Sequence, residues 1–309
     1  MSALILSKLI DSTLSKFIDS TNPKTRYKNQ GISAKLTLNT SSCIRNQTMP
    51  SISVIIIARN EKNNIEDCVR SAQLVADEVV VFDGDSTDNT ATLAQALGAK
   101  AFSVPATQWQ GYGEQRRRAQ SKATGDWCFW LDADERITPE LAAEIKDFVV
   151  KKPRNAIMAV PRLNHAFGAC IRHCGYYPDR VLRLHHRDYT RYNDSLVHEK
   201  LELPSDAQII NAKADLVHYT YVSMEQLLRK QVSYGLQWAD NRYRKTQKGC
   251  FWFTPFMKGA FMFLRKYFIQ GGFLDGKAGF VISATSVTYT FSKYMALYVL
   301  AFKARQEKK

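Results

Sequence analysis

Two aspartates, Asp132 and Asp134, flank Ala133 directly after the apolar run 127–131. In an extended segment, residues i and i+2 project to the same side, so the two carboxylates can converge on one small volume. They would repel each other there, and a divalent cation with oxygen ligands removes that penalty. Because Mg²⁺ or Mn²⁺ also takes phosphate oxygens as ligands, the pattern suits a diphosphate leaving group. Acidic triplets are common in surface turns, and the position behind an apolar strand distinguishes this one.

The carboxylates belong to a pattern of alternating strands and helices that begins after Pro50. The predicted strands are 52–57, 78–82, 100–104 and 127–131, and the predicted helices are 65–72, 89–97 and 113–123. Strands that read as continuous apolar runs between helices indicate an α/β fold with a mostly parallel sheet covered on both faces. Ligand sites in such sheets collect at the carboxyl ends of strands, where both Asp83 and Asp132 stand.

After residue 150 the pattern predicts strands at 156–162, 180–184 and 215–219 and a helix at 223–244. The tail 250–302 is aromatic and aliphatic, but cations interrupt it. These cations are Lys258, Arg265, Lys266, Lys277 and Lys293. No stretch of the tail is cleanly apolar over the roughly 20 residues that a spanning helix needs. We therefore predict amphipathic helices that lie on a membrane surface, with a helical subdomain packed on the core as the alternative.

The chain has 309 residues, 45% of them hydrophobic, and a formal net charge of +14. The excess of Lys and Arg lies in 1–49 and 225–309, while 50–224 is close to neutral. A near-neutral core with basic ends is less typical of a nucleic-acid groove than of an enzyme docked on an anionic membrane surface. We expect a poorly ordered basic extension at 1–49, a catalytic domain at 50–224, and a basic, aromatic, helical region at 225–309.

The six cysteines show no paired CxxC pattern, and the N-terminal segment lacks the features of a signal peptide. These observations predict a reducing, cytoplasmic setting, on the inner face of the cytoplasmic membrane. Cys170, His173 and Cys174 could offer three zinc ligands, but a structural zinc site needs a fourth. Reduced structural cysteines are the preferred interpretation.

Three motifs of the predicted α/β domain resemble those of a known enzyme family. They are SVIIIARNE at 53–61, VVFDGDSTDNT at 80–90 and GDWCFWLDADE at 125–135. In this order they are similar to the motifs of the family 2 inverting glycosyltransferases. The resemblance implies a single nucleotide-diphospho-sugar-binding domain of the GT-A type, with a DxD motif that binds Mg²⁺ or Mn²⁺.

The same resemblance implies roles for residues at the strand ends. The residues implied to lie beside the nucleotide are Ala58, Arg59 and Glu61. Asp83 is implied to hydrogen-bond the uracil ring, and Asp132 and Asp134 to hold the ribose and the metal-bound diphosphate. The family commonly has Asp-Asp-Gly-Ser or Asp-Ser-Gly-Ser where this chain has Asp-Gly-Asp-Ser at 83–86. A role for Asp85 therefore does not carry over.

Further segments resemble a narrower group, the bacterial lipopolysaccharide core glycosyltransferases, from about residue 50 to 305. These segments are 111–116, 175–180, 197–199 and 271–276. Those enzymes add glucose, or a related hexose, to an inner-core heptose. The resemblance implies a UDP-hexose donor and a lipid-linked oligosaccharide acceptor.

An inverting transfer needs a base that takes the proton of the acceptor hydroxyl, opposite the leaving diphosphate. Glu199 is the first candidate and Asp179 the second. His198 is a candidate metal ligand, since a neutral imidazole can coordinate a cation, and a structural histidine is the alternative. Among the consecutive arginines 116–118, Arg116 is the preferred partner of a phosphate group.

The sequence thus predicts a metal-dependent, inverting hexosyltransferase that acts at a membrane surface. The same mechanism with a polypeptide or a polyprenyl phosphate as acceptor is the close alternative. A nucleotide-sugar-binding protein without turnover is the alternative from another class, and the presence of Asp132, Asp134 and Glu199 argues against it. No nucleic-acid partner is expected, because the positive charge lies outside the predicted core.

Overall fold

The computed structural model describes residues 49–108, 110–193 and 199–307. The predicted extension, apart from Met49, and His198 lie outside these residues. The strands are β1 (Ile52–Ala58), β2 (Glu78–Asp83), β3 (Lys100–Ser103), β4 (Trp127–Asp132), β5 (Glu135–Ile137), β6 (Ala156–Ala166), β7 (Ala169–Ile171), β8 (Asp179–His186), β9 (Gln208–Asn211) and β10 (Leu216–Tyr221). The helices are α1 (Ile65–Ala72), α2 (Thr90–Ala96), α3 (Tyr112–Gln120), α4 (Pro139–Lys151), α5 (Met224–Thr246), α6 (Thr254–Leu264) and α7 (Gly276–Gln306), with short turns of other helix types at Ala106–Gln108, Arg265–Ile269 and Gly272–Asp275.

The strands predicted before residue 150 are confirmed, and they form the parallel half of the sheet in the order β3-β2-β1-β4. β1, β2 and β4 are buried along almost their whole length, because helices pack on both faces of the sheet. The register pairs Ala58 with Asp83 and Ile57 with Asp132. The carboxyl ends of three strands therefore meet at one edge, as the sequence predicted.

The other half of the sheet is mixed. β8 runs antiparallel to β4 and β6, β6 is parallel to β10, and β5 runs antiparallel to β10. The strands predicted after residue 150 are confirmed, each longer than the predicted span. The ten strands of the described residues make nine pairings, and five of these are parallel. The predicted α/β class is therefore confirmed, with an antiparallel β8 near the centre of the sheet.

The C-terminal region is a set of packed helices. The predicted helix 223–244 is confirmed as α5, which packs against α7, and α6 packs against α7 as well. Gly235 permits the close approach of α5 and α7, because a side chain there would lie 3.3 Å from the backbone nitrogen of Lys293. The Lys293 ammonium lies 4.7 Å from the centre of the Trp238 ring, between these helices. Among the described residues no helix is both long and apolar enough to cross a membrane.

Asp275 and Lys266 join this helical region to the sheet. The Asp275 carboxylate accepts the backbone N–H of His173 at 2.8 Å and lies 2.7 Å from the Nδ1 atom of that histidine. The Lys266 ammonium donates to the carbonyl oxygen of Cys174 at 2.8 Å, and the Cys174 thiol packs against Ser283. His173 and Cys174 thus have structural partners, and the cysteines of the described residues are free thiols.

Candidate active site

A cavity of about 710 Å³ opens at the carboxyl ends of β1 and β4. Five residues singled out from the sequence line it, namely Glu61, Arg116, Asp132, Asp134 and Glu199. Four polar residues that the sequence did not single out also line it, namely Tyr112, His218, Tyr234 and Gln237. The structure therefore brings the DxD carboxylates, one arginine and the candidate base to a single volume.

A second, more enclosed cavity of about 230 Å³ adjoins the first and shares Glu61 and Tyr112 with it. Ala58 and Arg59, which the resemblance implied to lie beside the nucleotide, line its wall. Asp83 is buried behind this wall, at the end of β2. Its carboxylate accepts the backbone N–H of Ser86 at 3.0 Å and the hydroxyl group of the same serine.

Gln115, on α3, also lines the smaller cavity. It lies in the segment 111–116 that carries the narrower resemblance, but the sequence assigned it no role of its own. Its side chain is 2% exposed, and its Oε1 atom is buried without a hydrogen-bond partner in the described part of the chain. Leaving such an acceptor unpaired costs about 1–3 kcal/mol. Because this oxygen is buried, a ligand N–H group would remove that cost only once the side chain turned the oxygen toward the cavity.

Asp132 is held in a buried network of charges. Arg183, from β8, donates to Oδ2 of Asp132 at 2.6 Å and to Oε1 of Glu135 at 2.5 Å. Glu135 is fully buried, and its other oxygen accepts the backbone N–H of Asp132 at 3.0 Å. Burial raises the pKa of Asp132, but the positive charges of Arg183 and Arg116 outweigh it and hold the pKa well below its usual range.

At Glu135, unlike at Asp132, the effect of burial on the pKa outweighs the effect of the neighbouring cations. Burial raises the pKa of this carboxyl above its ordinary value, and the neighbouring Arg183 offsets only part of the increase. The pKa of Arg183 is raised well above its ordinary value, because its attraction to Asp132 and Glu135 outweighs the effect of burial. The arginine therefore remains a cation, and it fixes the turn that carries the two DxD carboxylates.

Arg116, from α3, connects Asp132 to the candidate base. Its Nη2 atom donates to Asp132 at 3.2 Å and its Nε atom donates to Glu199 at 3.3 Å. The guanidinium carbon lies 5.2 Å from the centre of the Trp130 ring and 4.9 Å from the centre of the Tyr192 ring, which holds the planar group in place. The Nη1 atom is buried and has no partner among the described residues. A buried cation with an unused N–H is suited to an anionic ligand.

His218, from β10, faces Asp134 across the cavity. Its Nε2 atom lies 3.5 Å from Oδ2 of Asp134, and its Nδ1 atom lies 2.7 Å from Oδ1 of the buried Asn164. The side-chain nitrogen of Asn164 donates to the carbonyl oxygen of Tyr176 at 2.9 Å, so the amide oxygen is the atom that faces the histidine. In a neutral ring with the proton on Nδ1, Nε2 would direct its lone pair toward Asp134, where a cation could lie between the two side chains.

This pair fits a divalent cation. A carboxylate oxygen beside an imidazole lone pair is a common set of metal donors, and a second hydrogen bond from the other ring nitrogen orients the ring, as it does in metal sites. Both oxygens of Asp132, by contrast, are held by arginines. Within the described ranges, no third His, Cys, Asp or Glu side chain joins Asp134 and His218 in a group that could hold an ion. The other ligands of a cation bound by this pair would be oxygens of water or substrate.

Comparisons with known proteins show the family of the chain. Residues 53–194 match the family model described as glycosyl transferase family 2. The lipopolysaccharide core biosynthesis glycosyltransferase LpsC of Rhizobium meliloti is 30% identical over 267 residues, which are 82% of this chain and 94% of that protein. The chain belongs to glycosyltransferase family 2.

Other relatives of this glycosyltransferase cover most of its length. An uncharacterized glycosyltransferase of Rickettsia typhi is 28% identical over 261 residues, 81% of this chain and 86% of that protein. Among solved structures, a mannosyltransferase of Pyrobaculum calidifontis in complex with GDP-Man and Mn²⁺ is 15% identical, covers 84% of this chain and 88% of its own, and has a TM-score of 0.43.

Some residues that were singled out from the sequence do not line the cavity of this glycosyltransferase. Asp179, at the start of β8, accepts from Nε of Arg162 at 2.9 Å and is not among the residues that line the cavity. The two arginines that follow Arg116 pair with Glu114 on their own helix. His198 lies outside the described residues. Of the two candidate bases, Glu199 is therefore the one beside the DxD carboxylates.

Removing the central cation should destabilise the glycosyltransferase. Arg183→Met leaves Glu135 without its closest cation, and breaking a buried pair in this way costs about 3–5 kcal/mol. Arg229→Met is the matched control, because Arg229 forms an exposed pair with Glu225 that contributes no more than about 1 kcal/mol. Urea unfolding followed by circular dichroism measures both. An Arg183→Met variant as stable as the control variant would contradict the assignment of Arg183 as the centre of the network.

Proposed function

We propose that this glycosyltransferase moves a hexose, with glucose as the first candidate, from a UDP-hexose donor to a heptose of the lipopolysaccharide inner core, with inversion at the anomeric carbon. The observation that carries the proposal is one cavity with three kinds of group. Asp134 and His218 form a donor pair for a cation, Arg116 offers a free buried N–H, and Glu199 lies beside that arginine. The name of the Rhizobium relative supports the acceptor class.

On the donor side, Asp134 and His218 would hold Mg²⁺ or Mn²⁺. A cation held there supplies Lewis-acid stabilisation of the leaving diphosphate. Nη1 of Arg116 is buried without a partner among the described residues, so a diphosphate oxygen that reached it would gain a charge-assisted hydrogen bond. The aromatic rings that pack on the guanidinium limit its movement. The attraction between these fixed positive charges and the leaving diphosphate becomes stronger as negative charge develops on it in the transition state.

The smaller cavity is proposed to take the nucleobase. Uracil presents one N–H group between two carbonyl groups, which is complementary to the carboxamide of Gln115. The unpaired Oε1 atom would accept the N–H, and the amide nitrogen would donate to a carbonyl oxygen. Ala58 and Arg59 would flank the base. Asp83, which the resemblance implied to hydrogen-bond uracil, is buried and does not line the cavity, and its carboxylate accepts hydrogen bonds from Ser86.

On the acceptor side, Glu199 is proposed as the general base. An ion pair with Arg116 orients its carboxylate, and its side chain is only partly exposed to the cavity. The carboxylate would take the proton of the acceptor hydroxyl as the new glycosidic bond forms, while the diphosphate leaves from the opposite face of the sugar. We further propose that the acceptor is a lipid-linked oligosaccharide and that the enzyme acts on the inner face of the cytoplasmic membrane.

Asp134→Ala should reduce transfer from UDP-glucose to a heptosylated core acceptor by at least about 100-fold, because losing several kcal/mol of metal stabilisation has that effect on a rate. His218→Ala should act in the same direction and raise the Mn²⁺ concentration needed for half-maximal rate. Asp147→Ala, at an exposed i,i+4 pair on α4, is the control. Near-normal turnover by Asp134→Ala would rule out its metal role.

Glu199→Gln should leave UDP binding unchanged and reduce transfer about 10²- to 10⁴-fold, the usual contribution of a general base. The amide keeps the shape and can still accept from Arg116, so the donor site stays intact. Glu202→Gln, at a half-exposed pair with Arg191, serves as the control. Wild-type turnover by Glu199→Gln, measured in the same assay, would assign the base elsewhere.

Gln115→Met should raise the dissociation constant for UDP about 5- to 150-fold, the equivalent of 1–3 kcal/mol for one unpaired buried hydrogen bond. The preference for UDP over CDP should shrink as well, because the methionine cannot read the edge of the base. Isothermal titration with both nucleotides in the presence of Mn²⁺ measures this, with the exposed Gln95→Met as the control. Unchanged affinity and unchanged preference would remove Gln115 from the base site.

A further inference from the structure

The turn before α6, α6 itself and the turns after it present an unusual concentration of exposed apolar side chains. Of the 26 large hydrophobic side chains that are exposed among the described residues, 12 lie between residues 251 and 280. The most exposed include Phe251, Trp252, Met257 and Ile269. Scattered exposed apolar residues need no explanation, but a contiguous group of this kind marks an interaction surface. We name the exposed apolar side chains of 251–274 the aromatic face.

The aromatic face lies on the outer side of α6. Phe256, Met257, Phe261 and Leu264 are exposed and recur at helical spacing, while Gly259 is buried. A Cβ atom added at Gly259 would lie 3.1 Å from the Val287 side chain of α7, so that side of the helix packs tightly on the bundle. The helix therefore turns Gly259 inward and leaves Met257, Phe261 and Leu264 exposed, while Phe263 is half-buried against Phe280.

The charges around the aromatic face are positive. Asp275 is the one acidic residue in the sequence from 248 to 306, and its side chain is buried against His173. Lys258, Arg265 and Lys277 are exposed beside the apolar side chains. Apolar and aromatic side chains together with cations, and without exposed carboxylates, are the chemistry of a helix that lies in the headgroup region of an anionic bilayer.

Two other cations of the tail contact groups within the fold. Lys266 donates to the carbonyl oxygen of Cys174, and its ammonium lies 4.8 Å from the centre of the Tyr176 ring. Lys293 is held over aromatic rings between α5 and α7. The structure thus separates the cations that fasten the helical region together from those that surround the aromatic face.

We propose that the aromatic face docks on an anionic lipid surface, with α6 lying in the plane of the headgroups. The inference deepens the membrane location in the proposed function by naming the surface responsible. At 11 residues, α6 is too short to cross a bilayer, which needs about 20, and a helix in the interface has no such requirement.

The docked surface is fixed relative to the catalytic cavity. Phe256 of α6 packs on Phe291 of α7 with ring centres 5.2 Å apart, and Trp238 of α5 packs on Tyr294 of α7 with ring centres 5.3 Å apart. The same α5 carries Tyr234 and Gln237 into the cavity wall. A bilayer that holds the aromatic face therefore holds the cavity at a set distance from lipid-linked acceptors.

The test is co-sedimentation of the full chain with vesicles of phosphatidylcholine alone or mixed with phosphatidylglycerol. The wild-type protein should bind the anionic vesicles and bind the neutral ones more weakly. A combined Trp252→Ser, Met257→Ser, Phe261→Ser variant should lose at least about 10-fold in binding, since each side chain would leave the apolar region. The control combines Leu74→Ser, Val150→Ser and Leu203→Ser, at exposed apolar positions elsewhere, and should bind as the wild type does.

Lys258→Glu with Arg265→Glu should weaken binding to anionic vesicles and leave weak binding to neutral vesicles unchanged. Circular dichroism confirms that each variant is folded. Vesicle binding by the triple serine variant equal to that of the wild type would overturn the proposal. Sedimentation velocity that shows a dimer lost in the triple variant, without vesicle binding by the wild type, would assign the face to a second copy instead.

The same variants separate this inference from the proposed reaction. The triple serine variant should transfer glucose to a soluble heptose acceptor at the wild-type rate, and to a vesicle-borne acceptor at a reduced rate. Vesicle binding without transfer to either acceptor would contradict the proposed reaction and leave the docking surface standing. Transfer to both acceptors by a wild-type protein that does not bind vesicles would contradict the docking surface and leave the proposed reaction standing.

Discussion

The arrangement of the site depends on one buried cation. Arg183 lies between Asp132 and Glu135 with 5% of its side chain exposed, and charges in such a place are tolerated only when they are paired and hydrogen-bonded. The three residues come from β8, β4 and β5, so the ion pairs fix the turn between β4 and β5 against the antiparallel strand. Asp134 belongs to that turn, and its carbonyl oxygen accepts the backbone N–H of Tyr219 at 2.9 Å, next to His218. The cavity is shaped before any ligand arrives.

A second arginine, Arg116, links these ion pairs to the acceptor side of the cavity. Arg116 contacts both Asp132 and Glu199, so the position of the candidate base is linked through one guanidinium to the carboxylate that Arg183 holds. Its Nη1 group is buried and has no partner among the described residues. Donor and acceptor groups therefore share one rigid support, which suits a reaction in which the nucleophile and the leaving group must lie in line.

Much of this could be predicted from the sequence, and what could not has a common physical reason. The runs of β-branched residues gave strands within a few residues of their observed bounds, and the strand ends located Asp83 and Asp132 at one edge. His218 could not be assigned, because its role depends on the register that pairs it with Glu135, more than 80 positions away. The burial that isolates Gln115 and the packing that takes Lys266 and Lys293 away from the surface are likewise tertiary effects that periodicity does not encode. Asp179, chosen for its motif, lies at a strand start where Arg162 pairs with it.

The central claim is that Asp134 and His218 hold the cation while the smaller cavity takes the base, and a crystal structure of the protein with UDP and Mn²⁺ tests it most directly. Anomalous scattering locates the manganese without reference to the surrounding density. We expect a peak bound by Asp134 and His218, with uracil within hydrogen-bond distance of Oε1 of Gln115. A manganese peak bound by other side chains, or uracil outside the cavity lined by Ala58 and Arg59, would contradict it.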